Sequence, residues 1–208
     1  MFRSQQSEDR ILFEKYLNYR DGFFIELGAM DGLIYSNSYF YETVLNWKGI
    51  LIEPSRLYNS LIINRPNCHN FNYAISEIEG EVEFIGEGAL GGMTHTMDDK
   101  HRKGWKLDVK SSFKVKSIPI SKILEGVKVK KVDLFSIDVE GGELEVLKTF
   151  NWDIPVYIVL IEMAKHDLVK DDECRDFLSK KGFEFDMELG CNEVWINKNF
   201  HKIISDVD

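Results

Sequence analysis

Gly22-Phe23-Phe24-Ile25-Glu26-Leu27-Gly28-Ala29-Met30-Asp31-Gly32 decides how the chain is read. Phe23, Phe24, Ile25 and Leu27 form a short, nearly continuous apolar run, the pattern of a central parallel strand covered on both faces. Glu26 interrupts it near the carboxyl end, where a buried carboxylate needs a partner. Gly28 and Gly32 let the backbone turn tightly and come close to a ligand. Open α/β sheets bind ligands outside the carboxyl ends of their strands, so the acid and the glycines fall where a cofactor sits. An ordinary strand and turn with a solvated Glu has the same local pattern, so the rest of the chain must carry the reading.

The pattern recurs. Ser36-Asn37-Ser38 precedes an aromatic helical stretch, Tyr39 to Trp47, and supplies capping side chains. A second strand, Gly49-Ile50-Leu51-Ile52-Glu53-Pro54, is apolar until its terminal acid. In nucleotide-binding α/β units an acid at that place accepts hydrogen bonds from ribose hydroxyls. Pro54 ends the strand and can open the helix over 56–64. A fourth main strand, Val129 to Asp138, runs into Asp138-Val139-Glu140-Gly141-Gly142-Glu143, and a fifth, Ile154 to Glu162, again ends in an acid. Acids clustered at a strand's carboxyl end can bind a cation, orient a ligand amine or accept a proton. Glu143 and Glu145 instead suit the positive end of the helix they open.

Around this frame, residues 7–19 read as a lead-in helix capped by Ser7 that can cover the cofactor site. His69 to Ser76 reads as the third strand and its exit. Glu81–Ile85 and Phe113–Ile118 alternate as half-exposed strands, a side sheet or hairpin whose edges could pair with a second copy of the chain in a homodimer. Ser121 can cap a short helix through Leu124, 171–181 reads as a helix stopped by Gly182, and Phe183–Leu189 with Val194–Asn197 closes the sheet. Residues 86–112 are glycine-rich and irregular, and with Thr94, His95, Thr96, His101 and Trp105 they form a candidate substrate loop. The absence of repeats and linkers makes residues 1–208 one expected domain.

Composition narrows the function. The 208 residues carry a net charge of −9, which argues against a chain built mainly to grip nucleic acid or an anionic membrane. Cys68, Cys174 and Cys191 are widely spaced with no CxxC pair, so reduced thiols are expected rather than a disulfide framework or a zinc site. No apolar stretch is long enough to span a bilayer, and no apolar signal core opens the chain; a cytoplasmic location is expected.

With these residues in place, the chain resembles the FkbM family of class I S-adenosylmethionine-dependent methyltransferases over roughly 20–198. The likeness lies in Phe24 to Gly32 with Ser36-Asn37-Ser38, in Gly49 to Pro54, in Asn72-Tyr73-Ala74-Ile75-Ser76 and, most specifically, in Ile137 to Leu147. The family often has Ala where Gly142 stands. The resemblance implies a Rossmann-like α/β fold in three α/β/α layers: a seven-stranded, mostly parallel sheet, helices on both faces, the last strand antiparallel. It implies S-adenosylmethionine above the first two strands. Glu26 would orient its amino-acid end, Gly28 and Ala29 would give backbone clearance, and Asp31, Ser36 and Asn37 would lie nearby. Glu53, with Pro54 beside it, would hold the ribose hydroxyls, and Ala74 would flank the adenine. Asp138 and Glu140 would face the transferring methyl and the acceptor.

An oxygen acceptor must lose a proton to a base within hydrogen-bond reach, for which Asp138, Glu140, Glu162, His95 and His166 are the candidates. A magnesium ion held by Asp138 and Glu162 could instead acidify the acceptor hydroxyl. The family's association with O-methylation implies a sugar, glycan or small-molecule hydroxyl as acceptor. A nicotinamide-dependent oxidoreductase fits poorly, because Met30 stands where the second glycine of Gly-x-Gly-x-x-Gly belongs. A cofactor-binding partner subunit without activity is the alternative.

Overall fold

The computed structural model describes residues 1–163 and 167–205. Its strands are β1 (Phe23–Leu27), β2 (Lys48–Ile52), β3 (His69–Phe71), β4 (Ala74–Ile75), β5 (Gly80–Ile85), β6 (Gly92–Met93), β7 (Phe113–Ile118), β8 (Val132–Ile137), β9 (Val156–Glu162), β10 (Glu184–Leu189) and β11 (Asn192–Ile196). Its α-helices are α1 (Glu8–Lys15), α2 (Tyr39–Leu45), α3 (Tyr58–Asn64), α4 (Asp99–Gly104), α5 (Ile120–Val127), α6 (Glu143–Thr149), α7 (Leu168–Lys180) and α8 (Phe200–Ser205).

Among the described residues, seven strands form the main sheet in the order β10-β11-β9-β8-β1-β2-β3. β3, β2, β1, β8 and β9 are parallel, while β11 lies antiparallel between β9 and β10. The register sets the site. Leu27 is level with Ile52 and Ile137, and Ile137 with Ile161. The residues that follow, Gly28, Glu53, Asp138 and Glu162, therefore emerge along one rim.

Strand alternation divides the core. Ile25, Leu27, Phe135, Ile137, Val159 and Ile161 pack with Leu124, Val146, Leu147 and Leu178 of α5, α6 and α7. Phe24, Leu51, Leu134, Ile158 and Leu160 pack with Leu12, Phe40, Tyr41 and Leu61 of α1, α2 and α3. Period-two geometry places Glu26 on the face of Phe24, under the chain that enters α2.

Some sequence expectations hold and others change. His69 to Ser76 is two strands: β3 pairs with β2, and β4 joins a second sheet, β4-β7-β5-β6. At the crossing Asn72 Nδ2 donates to the carbonyl of Glu53 at 2.8 Å and of Pro54 at 3.1 Å. Glu81–Ile85 and Phe113–Ile118 pair with each other inside that sheet, where, among the described residues, β6 pairs only with Phe84 and Ile85 and β4 only with Ser117 and Ile118. Ser121 lies inside α5, whose N-cap is Pro119, and Ser7 and Ser38 stand at helix starts without a side-chain cap hydrogen bond. The Ser36 hydroxyl accepts from the Tyr39 amide instead, at 3.1 Å. No helix of the described residues is long and apolar enough to cross a membrane.

Leu134 is fully buried in the middle of the sheet. Leu134→Ala is expected to cost about 2–5 kcal/mol, read as a lower urea midpoint with an unchanged slope. An unchanged midpoint would contradict this account of the core.

Candidate functional site

A cavity of about 480 Å³ opens along the rim where β1, β2, β8 and β9 end. Its floor is the sheet. Gln5 and Glu8 of the N-terminal segment reach one wall, and Met93, Met97 and Trp105 from 86–112 reach another. Of the sequence-derived site residues, Glu26, Gly28, Asn37, Glu53, Pro54, Ala74, Asp138, Glu140 and Glu162 line it.

The turn after β1 is built for close approach. Gly28 has φ +73°, and a Cβ there would run into the Asp138 carbonyl. Its amide and that of Ala29 both donate to the Ile52 carbonyl at 3.1 Å, locking the turn onto β2.

Glu26 is nearly fully buried and bound on both oxygens by the 36–38 loop. Oε1 accepts the Asn37 amide at 2.8 Å. Oε2 accepts the hydroxyls of Ser36, at 2.9 Å, and of Ser38. Asn37 Nδ2 donates to Ser136 Oγ of β8 at 3.0 Å. Among the described residues nothing hydrogen-bonds Asn37 Oδ1, although it is buried in a residue that lines the cavity. A buried acceptor in that condition calls for a partner.

Glu53 follows β2 and is also buried. One oxygen accepts the Met30 amide at 2.9 Å, the other the Ser55 amide at 2.8 Å. Burial pushes its pKa up, and these hydrogen bonds oppose the shift. A carboxylate has about four lone-pair sites, so each oxygen can still accept from a ligand hydroxyl.

The third feature is a carboxyl trio. Asp138, Glu140 and Glu162 bring one oxygen each to within 4.8 Å of one another. Glu140 holds φ +54°, uncommon for a non-glycine residue, and Gly141 follows at +100°. Asp138 and Glu162 lie close enough to perturb each other's titration. Desolvation and then the Glu162 charge raise Asp138 well above its ordinary range. Desolvation and then Asp138 push Glu140 up to about 8, and desolvation and then Glu140 push Glu162 up to about 7. The trio can hold protons near neutral pH or accept a cation.

Several expected site residues lie elsewhere. Ala29 is buried outside the cavity lining. Asp31 Oδ1 accepts the Leu33 and Ile34 amides, at 2.9 and 2.8 Å, and so shapes the turn. Ser36 is buried outside the cavity lining, its hydroxyl bonded to Glu26. His95 Nε2 meets Glu145 Oε1 at 3.0 Å, away from the cavity lining. His166 lies outside the described residues.

Other groups were missed. Lys170 lines the cavity, and its Nζ donates to the carbonyls of Thr96 and Gly141, both at 2.6 Å, tying the 86–112 segment to the loop after β8. Asn192 Nδ2 donates to Glu8 Oε1 at 2.8 Å and closes the N-terminal wall. Glu143, assigned from sequence to the helix end, folds back so that Oε1 accepts the amides of Gly141, at 3.0 Å, and Val139, at 3.3 Å. These pairings join distant or irregular segments, for which the sequence has no periodic signal.

The family model of the methyltransferase FkbM domain matches residues 26–185. Among solved structures, the chain is similar to precorrin-6y C5,15-methyltransferase from Geobacter metallireducens GS-15. The identity is 11%, over 94% of this chain and 88% of that one, with a TM-score of 0.51. It is also similar to Aeropyrum pernix fibrillarin in complex with natively bound S-adenosyl-L-methionine, at 12% identity over 94% and 74% of the two chains and a TM-score of 0.46. No curated protein sequence matches the chain.

The trio has a consequence for stability. Glu140 and Glu162 hold folded-state pKa values of about 8 and 7 against an ordinary 4.5. Folding therefore favours their protonated forms; that stability is complete below the ordinary value and lost as pH rises through 7 and 8. The thermal midpoint is expected to fall between about pH 5 and 8, and Glu140→Gln to flatten the fall. A midpoint that rises over this range, or a variant as pH-sensitive as wild type, contradicts the assignment.

Proposed function

The chain belongs to the FkbM methyltransferase family, and on that footing we propose that it is an S-adenosylmethionine-dependent methyltransferase acting on a hydroxyl of a sugar, glycan or small-molecule acceptor. One observation carries the reading. A single cavity joins a strand-end acid with spare lone pairs, Glu53, to a buried acceptor awaiting a donor, Asn37 Oδ1, and to a carboxyl trio that holds protons near neutrality.

Bound there, S-adenosylmethionine would supply a methyl group on an electrophilic sulfonium. Glu53 accepts its ribose hydroxyls, and Asn37 Oδ1 accepts from its ammonium group. Ala74, between Tyr73 and Ile75 on the cavity wall, flanks the adenine. Alignment of the acceptor oxygen with the methyl supplies much of the acceleration. Asp138, Glu140 and Glu162 take the acceptor's proton, with a basicity suited to working pH. The 86–112 segment, anchored by Lys170, serves as the substrate loop, and its Met93 and Met97 limit water at the acceptor.

We assign the trio to proton transfer, because burial and mutual repulsion raise all three carboxyls above their ordinary range. Turnover is therefore expected to persist in a chelator.

Calorimetric titration with S-adenosylhomocysteine tests the cofactor half. Wild type is expected to bind, and Glu53→Gln to lose about tenfold or more in affinity. No binding by the folded wild type would overturn the reading. Glu140→Gln is expected to bind as wild type while methyl transfer to a panel of hydroxyl acceptors drops by about 10²-fold or more. Binding without transfer to any acceptor favours the silent partner subunit.

A further inference from the structure

We propose that Arg65 is a positioning residue for the amino-acid end of the cofactor, acting through Ser36 and Ser38 on Glu26 and Asn37. This rests on the cofactor reading above. Arg65 stands at the carboxyl end of α3 and is 1% exposed, one of the largest fully buried side chains of the chain. Burying a guanidinium is costly unless it is paired and its donors are satisfied. Here the donors are shared between α2, the turn at Gly32, the 36–38 loop and Cys68. Nε is paired with Glu42 of α2. Nη1 donates to the Gly32 carbonyl at 3.0 Å and to Ser36 Oγ at 3.1 Å. Nη2 donates to Ser38 Oγ at 3.1 Å.

Both hydroxyls then donate onward to Glu26 Oε2, whose partner oxygen holds the Asn37 amide. The chain of bonds runs from guanidinium through two hydroxyls to a carboxylate and ends at the residue whose Oδ1 awaits a donor. Arg65, Glu42, Ser36 and Ser38 do not line the cavity; Glu26 and Asn37 do. Arg65 therefore acts on the ligand only through the loop. The planar fork is what the arrangement needs, since it meets two hydroxyls at once where a lysine offers a single point charge. Gly32 makes room for it: φ is +79°, and a Cβ would fall 2.6 Å from Arg65 Cγ.

A residue that merely held the fold would not discriminate between ligands that differ only at the amino-acid end. S-adenosylhomocysteine carries that end, and 5′-methylthioadenosine lacks it. Their affinities are measured by calorimetry for wild type, Arg65→Lys, Ser38→Ala and Glu42→Gln, with folding checked by circular dichroism. Arg65→Lys and Ser38→Ala are expected to weaken S-adenosylhomocysteine about tenfold or more while 5′-methylthioadenosine stays within about twofold. Glu42→Gln, which loosens the guanidinium without touching the loop, is expected to move the ratio in the same direction. Where Arg65→Lys does not fold, Ser38→Ala carries the test. An unchanged ratio in the folded variants, or an equal loss for both ligands, overturns the proposal. Wild type binding both ligands equally also overturns it while sparing the cofactor reading. Wild type binding neither removes the cofactor reading itself, and the positioning role falls with it.

Discussion

The carboxylate of Glu26 sits inside the protein, and the candidate site depends on how that charge is satisfied. A strand-end acid at this depth is stable only if its oxygens are bonded, and charge-assisted hydrogen bonds are the strong ones. The chain satisfies it with three consecutive residues, Ser36, Asn37 and Ser38, all bonded to the one carboxylate. The same bonds fix the entry to α2, draw Arg65 beneath the loop and set Asn37 at the cavity wall. A requirement of burial thus becomes the geometry of the cavity wall.

The parallel register does the rest. Because β1, β2, β8 and β9 end level with one another, the residues just past them converge without any long-range design beyond strand pairing. Polar groups there are buried against one another, and the Asp138, Glu140 and Glu162 trio is the extreme case. Crowded and desolvated carboxyls resist ionisation, so the chain carries near-neutral proton carriers made from ordinary acids. The protein is expected to be less stable at alkaline pH for the same reason. That is the usual relation between a site that works and a core that merely packs.

Much of this was legible in the sequence, and the boundary of legibility is physical. Apolar runs that end in acids gave four of the five parallel strands, β1, β2, β8 and β9, and the rim, because a strand buried on both faces leaves an unmistakable composition. Glu53, Asp138, Glu140 and Glu162 followed from their places at strand ends. The residues that could not be read act through space. Arg65 closes a short helix in sequence yet reaches Ser36, twenty-nine residues before it, and Glu8 meets Asn192 across 184 positions. Ser36 and Asp31 lie next to the site in sequence but spend their side chains on the turn. His95 looked like a base in a glycine-rich segment, but its partner is Glu145 of α6. The split of His69 to Ser76 between two sheets had no signal beyond Asn72, whose amide caps the crossing.

A crystal structure of the chain with S-adenosylhomocysteine tests the central claim most directly. The expected result places both ribose hydroxyls within hydrogen-bond distance of Glu53 and the ligand's ammonium at Asn37 Oδ1, with the sulfur facing Asp138 and Glu140. A ligand seated elsewhere, or one whose ribose lies away from Glu53, would contradict it.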